Sequence, residues 1–177
     1  ALLREEFGDR PVAVCANLPY YITSPILMLL LESRLPLTSI TVMVQKEAAQ
    51  RLCARVGTRE AGAITVGVHY YGEARQLFPV SRGSFMPAPN VDSAVIRIDL
   101  HHNPQPEGLD EGFFFRMVKA GFSQRRKTLA NSLASMLGLS KQAVYAALEQ
   151  AGLEPAARIE QLSMEQLFAL ARALQPA

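Results

Sequence analysis

Asn17-Leu18-Pro19-Tyr20 brings an amide, a rigid imino acid and an aromatic ring together directly after the apolar run Val12-Ala13-Val14-Cys15-Ala16. At the end of a buried strand, these residue types can alkylate the exocyclic amine of a nucleobase. Such an amine is a poor nucleophile because its lone pair is delocalised into the ring. Accepting hydrogen bonds from both of its N–H groups favours a pyramidal nitrogen with the lone pair exposed. The Asn17 side-chain carbonyl and a backbone carbonyl of the Leu18-Pro19 turn are suitable acceptors. Pro19 fixes its own φ and drives Leu18 toward an extended conformation, so the turn is stiff in advance. Tyr20 offers a face for an extruded base. No general base is required, because a methylated aryl-ammonium gives its proton to water. The same four residues also suit a plain strand-to-loop turn with a buried tyrosine, and the rest of the chain must decide.

Two further segments carry chemistry. In Ser84-Phe85-Met86-Pro87-Ala88-Pro89-Asn90-Val91-Asp92-Ser93, alternating prolines make a stiff extended loop. Phe85 at its mouth would complete a base sandwich with Tyr20; the alternative is a structural connector with Phe85 plugging the core. In Phe122-Ser123-Gln124-Arg125-Arg126-Lys127-Thr128, three adjacent cations at an expected helix start invite phosphate, helped by the unpaired N–H groups of the first turn. Between Gly112 and Leu148 six basic residues (Arg116, Lys119, Arg125, Arg126, Lys127, Lys141) face no acid. That local asymmetry points to a polyanion more strongly than the net charge of +2 does. Gln45-Lys46-Glu47 suits either a polar site at the strand end, on the catalytic edge of the sheet, or a helix start with Glu47 at the favourable end of the dipole, and the helix start is the preferred reading.

These groups need a frame. Pro11 to Ala16 predicts a fully buried strand, followed by a helix capped by Ser24 with Pro25 in first position. Ser39 to Val44 predicts a second buried strand, leading into an amphipathic helix that ends near Arg55. This β-α-β-α order predicts an α/β fold with a doubly wound, mostly parallel sheet. Gly62 to Tyr71 is strand-like by propensity and helix-like by length. Gln76 to Pro79 is a short strand candidate, and Ser93 to Leu100 alternates clearly. Asn103-Pro104-Gln105-Pro106-Glu107-Gly108 has linker composition, and everything after it reads as helical. Ser140 and the Ser163–Gln166 capping box mark two helix starts, and Gly138 and Gly152 two ends. The expected division is therefore 1–102 and 103–177.

The 177 residues, 49% apolar and 19% charged, suit an ordinary globular protein. The longest apolar run, Ile26 to Leu31, is too short to span a bilayer, and the N-terminus lacks a signal-peptide plan, which predicts a cytoplasmic protein. Cys15 and Cys53 are expected to be buried thiols. No metal is expected, because His69, His101 and His102 lack partners at ligand spacing. None of the eleven glycines is separated from another by one residue, so the glycine turn that a nucleoside cofactor needs is not here. The chain is accordingly expected to be the C-terminal part of a larger protein.

The three segments in this order resemble the ribosomal RNA adenine N6,N6-dimethyltransferase family, in the branch acting on small-subunit rRNA. Val44-Gln45-Lys46-Glu47 and Arg158-Ile159-Glu160-Gln161-Leu162-Ser163 add to the likeness, which runs over nearly the whole chain. The resemblance implies the later half of a Rossmann-like methyltransferase sheet followed by a small all-α domain that binds rRNA. It also makes Gly62 to Tyr71 helical. S-adenosylmethionine would be the donor, and two adjacent adenosines near the 3′ end of the small-subunit (16S) rRNA would each receive two methyl groups in the assembling subunit. Asn17 would contact cofactor and target amine, Pro19 the cofactor, and Leu18 would supply a backbone acceptor. Tyr20 and Phe85 would stack on the base, while Arg116, Lys119, Arg125, Arg126 and Lys127 would bind RNA. The alternatives are a large-subunit rRNA adenine methyltransferase of the macrolide-resistance type and a non-catalytic rRNA-binding assembly fragment. DNA adenine methyltransferases rank lower, since their equivalent tetrapeptide usually carries two prolines.

Overall fold

The computed structural model describes residues 2–8, 10–33, 35–102 and 106–175; Asn103-Pro104-Gln105 of the expected linker lie outside them. The elements are α1 (Leu2–Phe7), β1 (Val12–Asn17), α2 (Thr23–Glu32), β2 (Leu37–Gln45), α3 (Lys46–Leu52), α4 (Ala63–Tyr71), β3 (Gly72–Val80) and β4 (Ser93–Leu100). The helices α5 (Glu111–Ser123), α6 (Leu129–Leu137), α7 (Lys141–Gln150) and α8 (Met164–Leu174) follow. The chain forms two compact units, Ala1–Cys53 with Gly67–Pro104, and Ala54–Val66 with Gln105–Ala177.

The first unit is built on a four-stranded sheet of order β1-β2-β4-β3. Its centre is apolar because Ile40, Val42 and Val44 of β2 stand opposite Ile98, Ile96 and Ala94 of β4; all six are buried. Only β1 and β2 run parallel, whereas β4 is antiparallel to both of its neighbours. This corrects the mostly parallel sheet expected from element order. The loop at 81–92 turns the chain straight back from β3 into β4, with no crossover helix, and a direct return of that kind gives an antiparallel pair. β3 is longer than the expected Gln76–Pro79, with a register irregularity between Gln76 and Phe78.

β1 alternates half-buried and exposed residues instead of being buried throughout. Among the described residues it pairs with β2 alone, and one of its faces is exposed at Ala13, Cys15 and Asn17. Cys15 is therefore exposed, contrary to expectation, while Cys53 is half-buried and burial pushes its thiol up to about 11. At neutral pH iodoacetamide should modify Cys15 promptly and reach Cys53 only after denaturation, because the thiolate is the reactive form. Mass spectrometry of the native protein should thus find one carbamidomethyl group.

α2 begins at Thr23, one residue before the expected cap, and Ile22 occupies the cap position without a side-chain bond. The Thr23 hydroxyl instead donates to the Pro19 carbonyl (3.2 Å). Pro25 still lies in the first turn, where its missing N–H is harmless. The 62–71 stretch is helical, as α4. Gly72 directly after it admits no side chain, because a Cβ there would collide with the Asp99 backbone carbonyl of β4. Gly72→Ala must push β3 off β4 and should destabilise the protein by about 2 kcal/mol or more, read as a lower denaturant midpoint.

The second unit is helical, with Phe114, Met117, Leu129, Leu133, Leu148, Leu167 and Leu170 fully buried. Its helix ends follow the sequence signals. Ser140 Oγ accepts from the Ala143 N–H (3.1 Å), Ser163 and Gln166 form a capping box, and Gly138 and Gly152 are left-handed at φ +68° and +67°. α6 is the exception. It starts at Leu129, just after the cationic run that was expected to open it, and Thr128 at its cap accepts no backbone N–H of the first turn; its Oγ1 accepts instead from the Asn131 side-chain amide (2.9 Å). No helix among the described residues is long and apolar enough to cross a membrane.

Candidate nucleobase site and arginine cavity

In the first unit, the ends of three strands meet at one edge of the sheet. Asn17 closes β1 opposite Met43 of β2, and Gln45 closes β2 opposite Ser93, the first residue of β4. This is the carboxyl end of the parallel pair, where α/β sheets bind ligands. The Leu18 N–H continues the ladder by donating to the Met43 carbonyl (3.4 Å). Leu18 is buried and anchors the turn, while Asn17 and Pro19 on either side are exposed. Pro19 holds φ −61° and ψ 130°, and its carbonyl accepts from both the Ile22 N–H and the Thr23 hydroxyl. The carbonyl of this turn left to accept from a ligand is therefore that of Leu18. The Asn17 carboxamide has no hydrogen bond to any described residue.

Tyr20 is half-buried, and its hydroxyl shares a 2.5 Å hydrogen bond with Ser93 Oγ. Ser93 is fully buried, so this bond fixes the ring and ties the first chemical segment to the end of the second. Phe85 is also half-buried and follows a 3-10 turn at Arg82–Ser84, its N–H donating to the Arg82 carbonyl (3.3 Å). Tyr20 and Phe85 form no ring–ring pair among the described residues. Beside Ser93, a cavity of about 340 Å³ is lined by Gln45, Lys46, Glu47, Arg82, Asn90, Val91 and Asp92. Sequence reasoning favoured a helix-starting role for Gln45-Lys46-Glu47 over a polar site at the strand end. Lys46 and Glu47 do open α3, but the same three residues also form a wall of this cavity.

In the second unit, Arg125 and Arg126 lie in the turn before α6 and line a cavity of about 610 Å³ with Arg59, Arg158, Glu160, Gln161 and Gly57. The Arg125 guanidinium donates to the Arg59 carbonyl (2.6 Å) and lies 5.8 Å above the Phe122 ring. Four guanidinium groups face one acid. Sequence reasoning found two of the four, because Arg59 and Arg158 lie far away along the chain. The first-turn amide at Leu129 is already bonded to the Ala157 carbonyl (2.9 Å), so the anion-binding character here comes from the arginines more than from the helix end. Lys127, Arg116 and Lys119 are exposed and none of them lines this cavity. Arg116 lies 5.7 Å over the Phe113 ring. Among the described residues no group of three or more His, Cys, Asp or Glu is placed to hold a metal ion.

The ribosomal RNA adenine dimethylase family model matches residues 5–176. The chain belongs to that family. It is 44% identical over 178 residues to the ribosomal RNA small subunit methyltransferase A of Geobacillus sp. (strain WCH70), covering 98% of this chain and 61% of that protein. It is 47% identical over 170 residues to the protein of the same name from Streptococcus sanguinis, covering 94% and 59%. The chain thus spans about three fifths of the length of the curated relatives it matches. Among solved structures, a dimethyladenosine transferase from Plasmodium falciparum has the same fold (TM-score 0.76, 23% identity, 89% of this chain and 64% of that one). The 23S rRNA methyltransferase ErmE is also similar (TM-score 0.65, 28% identity, 93% and 65%).

Proposed function

We propose that this chain carries the target-amine site and the RNA-binding unit of an S-adenosylmethionine-dependent enzyme that dimethylates N6 of adenosines in small-subunit rRNA, acting on the assembling subunit in the cytoplasm. The observation that carries this reading is the exposed, unbonded Asn17 carboxamide beside the one uncommitted carbonyl of its turn, that of Leu18. Together they offer two acceptors to the two N–H groups of an adenine amine. The β1–β2 ladder and Pro19 fix the Leu18 carbonyl and the backbone that carries Asn17, so the turn itself needs little reorganisation as positive charge develops on the nitrogen. Tyr20, pinned through Ser93, supports the base, and Phe85 is available to close over it.

The residues present fit the methyl-bearing end of the donor. Asn17 and Pro19 are both exposed at the sheet edge and would hold it there. When bound, S-adenosylmethionine supplies an electrophilic methyl group. The left-handed glycines are Gly8, Gly57, Gly108, Gly138 and Gly152; none follows a described strand, and this chain assigns no residue to the donor's nucleoside half. In the second unit Arg125 and Arg126, with Arg59 and Arg158, would hold phosphates, and Lys127, Arg116 and Lys119 would add long-range attraction.

Small-subunit RNA is favoured over large-subunit RNA by the names of the relatives at 44% and 47% identity. The test is transfer of a labelled methyl group by the complete enzyme to partly assembled small and large subunits. Label in small-subunit RNA is expected, mapping to N6-dimethyladenosine. Label confined to large-subunit RNA, or none in either, would overturn the proposal.

A further inference from the structure

Single apolar residues at a protein surface need no explanation, but the two most exposed large ones described here occupy particular places. Met86 is 98% exposed and Tyr21 86%. Tyr21 directly follows Tyr20, and Met86 directly follows Phe85. Each therefore adjoins one of the two aromatic residues assigned to the target base. Neither position is loose. Tyr21 lies in the 3-10 turn Tyr20–Ile22, fastened at its far end by the Ile22 N–H donating to the Pro19 carbonyl (3.2 Å). Met86 comes shortly after the Arg82–Ser84 turn and is followed by Pro87, whose φ is fixed by its ring. One run of contacts joins the two places. The Tyr20 hydroxyl is bonded to Ser93, and Asp92, the preceding residue, accepts through Oδ1 from the Arg82 N–H (3.0 Å). The Arg82 carbonyl in turn accepts from the Phe85 N–H (3.3 Å). Both side chains thus stand in solvent on a firm backbone.

A base taken out of a strand leaves both of its neighbours unstacked on one side, and new contacts must replace that stacking if the extruded state is to persist. An aromatic ring accepts any base on its face, and methionine is among the apolar side chains that wedge against unstacked steps. We propose that Tyr21 and Met86 hold the two nucleotides flanking the target, Tyr21 by stacking on one and Met86 by wedging against the other. Together they keep open the gap that the target base leaves. These contacts are blind to base identity, so they strengthen the hold on the strand without adding sequence preference. The inference rests on the reading of Tyr20 and Phe85 as the target pocket, and it adds two positioning residues outside that pocket.

The test uses the complete enzyme and partly assembled small subunits whose rRNA carries one synthetic change, an abasic site on the 5′ or the 3′ side of a target adenosine. Methyl transfer to that adenosine is read as kcat/KM. In the unmodified enzyme each abasic site should lower kcat/KM by about fivefold or more, the lower end of what one stacked base supplies. Tyr21→Ala should lose a similar factor on intact rRNA and then be indifferent, within about twofold, to the abasic site on one side only. Met86→Ser should show the same indifference on the other side. Tyr21→Phe should behave as the unmodified enzyme, because the ring is kept. Both residues are exposed, so the melting temperature of each variant should stay put and a lost response is not a folding defect. An unmodified enzyme indifferent to both abasic sites overturns the inference while the target site stands. So does an alanine or serine variant that still responds to both, or a Tyr21→Phe enzyme that behaves like Tyr21→Ala. Absence of transfer by the unmodified enzyme to intact subunits overturns the target-site reading and the inference with it.

Discussion

Asn17→Ala in the complete enzyme should slow methyl transfer by about 10²- to 10³-fold or more while leaving the Kd for RNA nearly unchanged. The range is that seen when one preorganised polar group is removed from a site where charge develops. The carboxamide accepts from the target amine most strongly as nitrogen becomes pyramidal, so its loss raises the transition state more than the bound ground state. Single-turnover transfer and an RNA titration separate the two effects. Because the side chain is exposed and unbonded in the fold, the substitution should move stability by no more than about 0.5 kcal/mol. Near-normal turnover would remove Asn17 from the chemistry.

Replacing Arg125, Arg126 and Arg158 together by alanine should weaken RNA binding at low salt and flatten its dependence on salt. Each phosphate that is no longer neutralised lowers the slope of log K against log salt concentration by about 0.7 to 0.9. Removing all three guanidinium groups should therefore change the slope by roughly 2 to 3. Part of the local effect will be structural, since Arg125 also holds the Arg59 carbonyl; a melting curve of each single variant measures that part. An unchanged slope would make the cluster an ordinary solvated surface.

The local grammar of the chain was readable where one element decides the outcome. Ser140, Ser163 with Gln166, Gly138 and Gly152 end or start helices as their side chains dictate, because a cap is an interaction within four residues. The Asn17 turn was readable for the same reason, since Pro19 acts on its immediate neighbours. What escaped depends on distant partners. β1 was expected to be buried because its residues are apolar, yet its exposure depends on which strands flank it, and among the described residues only β2 does. Cys15 followed β1 into that error. The antiparallel course of β4 depends on the loop at 81–92 turning directly back, which element order does not encode. Arg59 and Arg158 reach the arginine cavity from segments far apart along the chain, and no charge pattern around either one points to it. Gln45-Lys46-Glu47 starts a helix and lines a cavity at once; the first role is local and was visible, while the second needs Asn90 and Asp92 brought alongside by β2–β4 pairing.

The most direct test is a crystal structure of the complete enzyme with an RNA bearing the target adenosine and a non-transferable analogue of the methyl donor. The account predicts the adenine out of its stack and against Tyr20, its N6 about 2.7–3.2 Å from both Asn17 Oδ1 and the Leu18 carbonyl oxygen. An adenine lodged elsewhere, with the Asn17 carboxamide turned to another partner, would contradict it.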